Sequence, residues 1–177
     1  GNAGDGIDVY LGPLTGASDP VSIDIFNHHD RGSLRGAVVG GVREGTAGYI
    51  RWHSPVWQGS QYQGFYYADS AAGGVRSEVM NPVVIDCNQV GSASVFMGAA
   101  YSVRGAVDRL TDAPLGGVHF ISPAVKVTGA QLPVVAFHVE DAKTGVTEDI
   151  RILDPVDVVF GQQGTWIKNG SDVFIRD

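Results

Sequence analysis

The sequence predicts an all-β domain, an antiparallel β-sandwich of jelly-roll type with little or no helix. Three observations support this fold class. Short apolar runs alternate with polar residues along most of the chain. The chain's 25 glycines and 8 prolines interrupt these runs at short intervals. Finally, no window of about eleven residues or more places apolar side chains at helical spacing.

Individual strands are identified by apolar side chains that recur at every second residue. The clearest runs are Ile7–Leu11, Val21–Ile25, Ala99–Val107, Ala124–Val127 and Val156–Phe160. In all we expect roughly twelve to fourteen strands about 8–12 residues apart, which is typical of a sandwich, jelly roll or barrel. Since each strand has one apolar face, we expect two sheets packed against each other. A parallel βαβ fold is disfavoured because its crossover helices are missing.

Two hairpins are predicted towards the end of the chain. Leu132–Glu140 and Val146–Leu153 flank a short loop closed by a glycine. Trp166–Lys168 and Asp172–Ile175 flank Asn169-Gly170, the dipeptide that a type I′ turn favours because both central residues need positive φ. No repeat of fixed period is evident.

Composition excludes several classes of protein. The 177 residues, 44% of them hydrophobic, suffice for the core of one domain, and we expect residues 1–177 to form a single β-sandwich domain. The balance of 12 Lys and Arg against 19 Asp and Glu gives a net charge of −7, which disfavours nucleic-acid binding. Because no run approaches roughly 18 apolar residues, no membrane span is expected.

The single cysteine and the first residues indicate whether the chain carries a disulfide or a signal peptide. Cys87 lies in an apolar run and cannot form an internal disulfide, so we expect a buried small side chain. The chain begins Gly1-Asn2-Ala3-Gly4, without Met and without a charged-then-apolar leader. We therefore expect no signal peptide, and a domain excised from a longer chain.

An aromatic stretch at residues 49–67 is the richest candidate for a binding surface, with seven of the 16 aromatic residues and interleaved Gln, Arg and His. Flat rings stack on sugar faces and amides supply directional hydrogen bonds, so this mixture favours a glycan or protein contact. The alternative is that the rings fill the core between two sheets. The candidate ligand-binding residues are Trp52, His53, Trp57, Tyr62, Tyr66 and Tyr67.

A second candidate site lies at His28-x-Asp30, which has the spacing of part of a 2-His-1-carboxylate iron centre. His119 or His138 could supply the distal imidazole, and Arg151 could bind an acid. On these residues the chain resembles a reduced iron(II)/2-oxoglutarate oxygenase on a double-stranded β-helix. The resemblance implies iron and 2-oxoglutarate as cofactors. The alternative is an exposed polar turn.

Taken together, the sequence favours a non-enzymatic structural or interaction domain that assembles with copies of itself. A virion component is the leading example, either a capsid or decoration protein or a tail or receptor-binding part. The nucleophile elbow, the Walker loop and the dinucleotide-binding glycine motif are all missing from the sequence. We therefore expect a homo-oligomer in a virion or outside the cell, without catalytic residues, metal or cofactor. The alternatives are a carbohydrate-binding module, which contacts a glycan or a cell-surface receptor, and the iron oxygenase.

Overall fold

In the computed structural model, the strands pair in parallel throughout. The structure describes residues 4–11, 21–41, 48–69, 75–105, 115–141, 147–168 and 173–176. Within them there are seventeen strands and no helix of the length and apolarity needed to cross a membrane. The strands are β1 (Ile7–Leu11), β2 (Val21–Phe26), β3 (His29–Arg31), β4 (Ala37–Gly41), β5 (Gly48–His53), β6 (Val56–Gln58), β7 (Phe65–Asp69), β8 (Val75–Met80), β9 (Val83–Ile85), β10 (Ala99–Gly105), β11 (Leu115–Ile121), β12 (Ala124–Lys126), β13 (Val135–Asp141), β14 (Thr147–Leu153), β15 (Val156–Val158), β16 (Gln163–Lys168) and β17 (Val173–Arg176).

These strands form three sheets. Sheet 1 has the order β1-β4-β7-β10-β13-β16, sheet 2 the order β2-β5-β8-β11-β14-β17, and sheet 3 the order β3-β6-β9-β12-β15. The chain visits sheets 1, 2 and 3 in turn and then returns to sheet 1 one strand further along. Each such turn is a coil, and the stacked coils make a three-sided parallel β-solenoid.

The predicted antiparallel β-sandwich with jelly-roll topology is therefore wrong, although the all-β content is confirmed. Both predicted hairpins are also wrong, because β13 and β14 lie in different sheets, as do β16 and β17. Their connecting residues 142–146 and 169–172 lie outside the described residues. Parallel strands need long crossover connections, and here each crossover runs through the other two sheets instead of through a helix.

A two-residue corner leads from sheet 2 to sheet 3 in every coil. The corners are Asn27-His28, Ser54-Pro55, Asn81-Pro82, Ser122-Pro123 and Asp154-Pro155. The first residue of each has a φ between 48° and 51°, a left-handed conformation that Asn and Asp tolerate better than most residues. In four corners a proline follows, which presets its own φ and lacks an N–H group. These dipeptides are the repeating signature of the coil.

The core consists of side chains that stack from coil to coil along the inside of each sheet, and we call these stacks inner ladders. They are Val9–Val39–Tyr67–Val103–Val139–Ile167 in sheet 1, Ile25–Trp52–Val79–Phe120–Ile152–Ile175 in sheet 2 and Asp30–Trp57–Val84–Val125–Val158 in sheet 3. In the middle coils these residues are fully buried, and the rings of Trp52 and Trp57 meet edge to face at 5.8 Å. Gly36 is required beside them, because a Cβ there would overlap the Trp57 ring.

The outer faces of the sheets differ in how they meet solvent. Residues 88–98 fold across the outside of sheet 1, where the Phe96 ring contacts Tyr66 and His138. This segment is anchored by Asn88, whose side-chain amide nitrogen donates to the carbonyl oxygens of Ser92 and Leu132. The outer face of sheet 2, in contrast, carries a half-exposed row of charged side chains. Ligand access is therefore better at sheet 2 than at sheet 1.

Candidate functional site

The six predicted ligand-binding residues do not share one surface. Trp52, Trp57 and Tyr67 belong to the inner ladders and are at most 1% exposed. Tyr62 lies half-buried between β6 and β7, outside any strand. For these three inner rings the structure matches the core interpretation of the aromatic stretch.

The remaining two residues lie on different sheets. His53 faces outwards on sheet 2, where its ring stacks on Phe26 at 4.2 Å and its Nε2 lies 2.8 Å from Asp24 Oδ1. Tyr66 faces outwards on sheet 1 and contacts the Phe96 ring at 5.3 Å. A glycan contact by these side chains stays a prediction.

The residues of the suggested iron site are not brought together. Asp30 belongs to the inner ladder of sheet 3, while His119 and His138 lie on the outer faces of sheets 2 and 1. Among the residues that the structure describes, no three His, Cys, Asp or Glu side chains are grouped so that they could hold a metal ion. The parallel solenoid also differs from the double-stranded β-helix that the resemblance implied.

A polar cluster on the outside of sheet 1 combines a serine, a histidine and a glutamate. Ser102 Oγ lies 3.0 Å from His138 Nδ1, and His138 Nε2 lies 3.6 Å from Glu140 Oε2. Glu140 also accepts a hydrogen bond of 2.8 Å from Lys168 and lies 3.2 Å from Arg104 Nε. These are the residue types of a nucleophilic triad.

This cluster is closed to solvent. Ser102 and His138 are at most 1% exposed, and the Trp166 ring stacks on the His138 imidazole at 4.9 Å. Burial lowers the pKa of His138 to about 4, so the imidazole is neutral at pH 7. In this structure no substrate can reach the Ser102 hydroxyl, and the cluster ties β16 to β10 and β13.

The C-terminal end of the solenoid offers the most accessible apolar surface. Ile167 ends the inner ladder of sheet 1 and is 41% exposed, while Ile175 ends that of sheet 2 and is 44% exposed. Within the described part of the chain, no strand pairs with the outer edges of β15, β16 and β17. Side chains of core type therefore face solvent at the last described coil.

A cavity of about 270 Å³ opens in this end. Its lining is almost entirely apolar and comes from all three sheets: Phe137, Ile152, Pro155, Val158, Phe160, Gly164, Thr165 and Ile175. Phe160, 42% exposed, follows β15 and packs against Gly164. We call the cavity together with Ile167 the apolar mouth.

Two cations at the rim of the apolar mouth are neutralised by carboxylates of the same chain. Lys168 bonds to Glu140 at 2.8 Å. Arg176 bonds to both carboxylate oxygens of Asp154, at 2.9 and 3.3 Å. The mouth thus presents an apolar floor within a rim of paired charges.

The N-terminal end is built differently. There Asp30, a carboxylate, occupies the inner ladder of sheet 3, and its Oδ1 accepts a 2.6 Å hydrogen bond from Ser33. The chain at residues 4–6 runs alongside this position, held by backbone hydrogen bonds of 2.8 Å to Leu34 and Arg35. The apolar ladder residues of this end, Ile7, Val9, Ile23 and Ile25, are half-buried.

The apolar mouth was not predicted from the sequence, because its residues have the pattern of ordinary strand positions. A usable signal was present in the Ser-Pro, Asn-Pro and Asp-Pro dipeptides that precede four of the five described strands of sheet 3. Pro155 is the last of these prolines, so β15, β16 and β17 form the final described coil. The inner residues of that coil have no covering neighbour among the described residues.

Comparison of the chain with protein-family models, with curated proteins and with solved structures found no match.

Proposed function

We propose that this chain is a non-enzymatic assembly domain that joins a second copy of itself through the apolar mouth. The observation that carries the proposal is the exposure of Ile167 and Ile175, which end two inner ladders whose other members form the core. Stacked-coil proteins need a polar cap at each end to stay soluble as single units. A second copy would cover Ile167 and Ile175, which no described residue of this chain covers.

Burial of apolar side chains would stabilise this association. Covering the exposed parts of Ile167, Ile175 and Phe160 contributes on the order of 1 kcal/mol for each side chain in each copy. The unpaired backbone edges of β15, β16 and β17 add hydrogen-bonding groups that favour contact with another sheet edge. Together these terms support association of two identical ends.

A two-fold, mouth-to-mouth arrangement fits the charges better than a head-to-tail stack. In a head-to-tail stack the apolar mouth of one copy would meet residues 4–6 of the next, which cross over Asp30 and include Asp5 of the Asp5–Arg35 ion pair. Burying that ion pair further against apolar surface is costly. Mouth to mouth, apolar surface meets apolar surface, and Lys168 and Arg176 are already neutralised within each copy. A two-fold interface is closed, so assembly stops at a dimer.

Sedimentation velocity over a concentration series tests the proposal. We expect the parent chain to reach the mass of a dimer. Ile175→Asp should remain a monomer at concentrations where the parent is dimeric, because it places a charge at the centre of the mouth. Phe26→Asp is the matched control, since Phe26 is 65% exposed on the outer face of β2 at the opposite end and should not change the mass.

A parent chain that stays monomeric at the highest concentration contradicts the proposal, as does an Ile175→Asp variant that dimerises like the parent. A far-ultraviolet circular dichroism spectrum of Ile175→Asp that matches the spectrum of the dilute parent would show that the variant is folded and that the lost mass reflects lost association. A virion or extracellular setting stays a prediction from the sequence, and the dimer test does not depend on it.

A further inference from the structure

The outer face of sheet 2 contains a local distortion near the end of the solenoid. The pairing of β11 with β14 omits Gly117 and Asp149, and both residues have positive φ, 68° and 55°. Aspartate tolerates this left-handed region better than most residues, and glycine adopts it freely. The register of β11 and β14 is the same on both sides of this pair, so the distortion is a matched local kink without an inserted residue. Sparsely populated backbone conformations of this kind cluster at ligand sites.

The distortion places the Asp149 carboxylate between two nitrogen groups. Arg151 Nε donates to Asp149 Oδ1 at 2.6 Å, and His119 Nε2 lies 2.9 Å from Asp149 Oδ2. Burial tends to raise the pKa of Asp149, but the contacts with Arg151 and His119 outweigh it and lower the pKa. The carboxylate is therefore ionised at neutral pH, and it fixes the plane of the Arg151 guanidinium.

An aromatic ring stands beside this pair. Phe174 on β17 is the register partner of Arg151 on β14, and it is 52% exposed. A cavity of about 210 Å³ lies between them, lined by Asp149, Ile150, Arg151 and Phe174. The site thus combines an exposed ring with a planar, rigidly held carboxylate and guanidinium.

We propose that this cavity binds a neutral pyranose unit of a glycan, with the apolar face of the sugar on Phe174 and its hydroxyls on Asp149 and Arg151. Aromatic rings receive the C–H face of a sugar, and paired planar groups supply both acceptors and donors for adjacent hydroxyls. The site is distinct from the aromatic stretch at residues 49–67. It is also independent of the proposed dimer, because Phe174 faces outwards whereas its neighbour Ile175 faces the mouth.

The local charge favours a neutral ligand over an acidic one. Arg151 is already paired with Asp149, so an anionic group would compete with a short internal ion pair. A hydroxyl can bond to both partners without separating them. The outward position of the pair, with Arg151 side-chain exposure of 51%, keeps it accessible.

Titration by ¹H–¹⁵N NMR tests the site, with the methyl pyranosides of glucose, galactose, mannose and N-acetylglucosamine as probes. We expect saturable shifts at Asp149, Arg151 and Phe174 for at least one probe, with a dissociation constant on the order of 1 mM. Phe174→Ala should weaken this binding about tenfold or more, while Phe174→Tyr, which keeps the ring, should retain it.

Phe26→Ala is the matched control, because Phe26 is also an exposed ring on the outer face of sheet 2 but lies on its opposite edge. It should leave the affinity unchanged. The proposal is overturned if none of the four probes gives saturable shifts at these residues, or if Phe174→Ala binds as tightly as the parent.

Discussion

The two ends of this solenoid differ in the side chains that they present at their sheet edges. At both ends, the edge strands have no covering strand among the described residues. The N-terminal end places Asp30 in an inner ladder, and an inward-pointing charge is a known protection against edge-to-edge association. The C-terminal end has Val158 at the corresponding end of the sheet 3 ladder, Ile167 and Ile175 at the ends of the other two ladders, and a cavity lined by apolar side chains. Among the described residues, the N-terminal end therefore carries a charge in its inner ladders, whereas the C-terminal end presents an apolar surface that suits a partner.

The largest changes in the free energy of unfolding should come from truncating isoleucines of the sheet 2 inner ladder, one in its middle and one at each end. Ile152→Ala should reduce the free energy of unfolding by about 2–5 kcal/mol, because Ile152 is fully buried in the sheet 2 ladder. Ile25→Ala and Ile175→Ala, at the two ends of the same ladder, should cost about 1–2 kcal/mol in the dilute monomer. Urea denaturation at low protein concentration gives all three values.

Unfolding measurements at higher protein concentration then distinguish the two ends of this ladder. Only Ile175→Ala should lose additional stability relative to the parent, because association stabilises the folded state and involves that end alone. Equal concentration dependence for Ile25→Ala and Ile175→Ala would contradict the assignment of the interface.

A smaller effect is expected from acidification, and it should act on the C-terminal coil. Because the pKa of His138 is about 4 in the folded chain and ordinarily 6.5, the unfolded chain binds the proton first as the pH falls. The stability contributed by neutral His138 is therefore present above pH 6.5 and decreases by about 1.4 kcal/mol per pH unit between pH 6.5 and 4. Measurements above pH 5 keep Glu140 ionised, since its pKa is lowered below 4.5.

The groups around His138 determine which part of the chain is destabilised when the imidazole is protonated. Ser102, Arg104 and Glu140 face it from β10 and β13, Lys168 and Trp166 face it from β16, and Phe96 covers it. Burial is the main cause that opposes a protonated imidazole; Glu140 attracts it, and Arg104 and Lys168 repel it. Because Trp166 of β16 stacks on this ring, β16 should exchange its amide hydrogens faster at pH 5 than at pH 7, while β2 should not. In His138→Gln the pH dependence should flatten; an unchanged slope would show that other groups cause it.

Substitution of Asp30 should cause the smallest change in the free energy of unfolding but a clear change in the mass of the assembly. Asp30→Val should alter the unfolding free energy by about 1 kcal/mol or less, since it replaces a partly buried carboxylate with an apolar ladder residue. It should, however, remove the protection of the N-terminal end and allow head-to-tail growth beyond a dimer. Light scattering of Asp30→Val beside Asp30→Asn, which keeps a polar group, distinguishes these outcomes. If Asp30→Val keeps the mass of the parent, the protective role of Asp30 is wrong.

Much of the local structure was predictable from the sequence, but the pairing was not. Alternation in Ile7–Leu11, Val21–Ile25 and Ala124–Val127 identified β1, β2 and β12 within a residue or two. Alternation assigns side chains to faces, however, and is silent on which strand is the neighbour. The Asn169-Gly170 turn signal and the lack of helices therefore led to antiparallel pairing, since the corner dipeptides mark where a strand ends and do not specify which strand it pairs with.

The repeat was hidden by uneven spacing. The corners at residues 27, 54, 81, 122 and 154 are separated by 27, 27, 41 and 32 residues, because segments such as 88–98 lengthen individual coils. The candidate sites depend on this long-range order. Ile175 and Phe174 differ in role only because one faces the mouth and the other the outer face, and Asp149 reaches Arg151 through a distortion that composition cannot reveal.

A distance measurement between copies by spin labelling tests the mouth-to-mouth dimer directly. Labels at Gln162→Cys and at Ser22→Cys mark the C-terminal and N-terminal coils, and native Cys87 should stay unlabelled because burial raises its pKa to about 12. Five strand steps of about 4.8 Å separate the first and last coils of each copy. The mouth-to-mouth dimer predicts Gln162 labels within about 25 Å and Ser22 labels about 50 Å apart or more. Close Ser22 labels, or no intermolecular distance between Gln162 labels at concentrations where the parent chain is dimeric, would contradict the account.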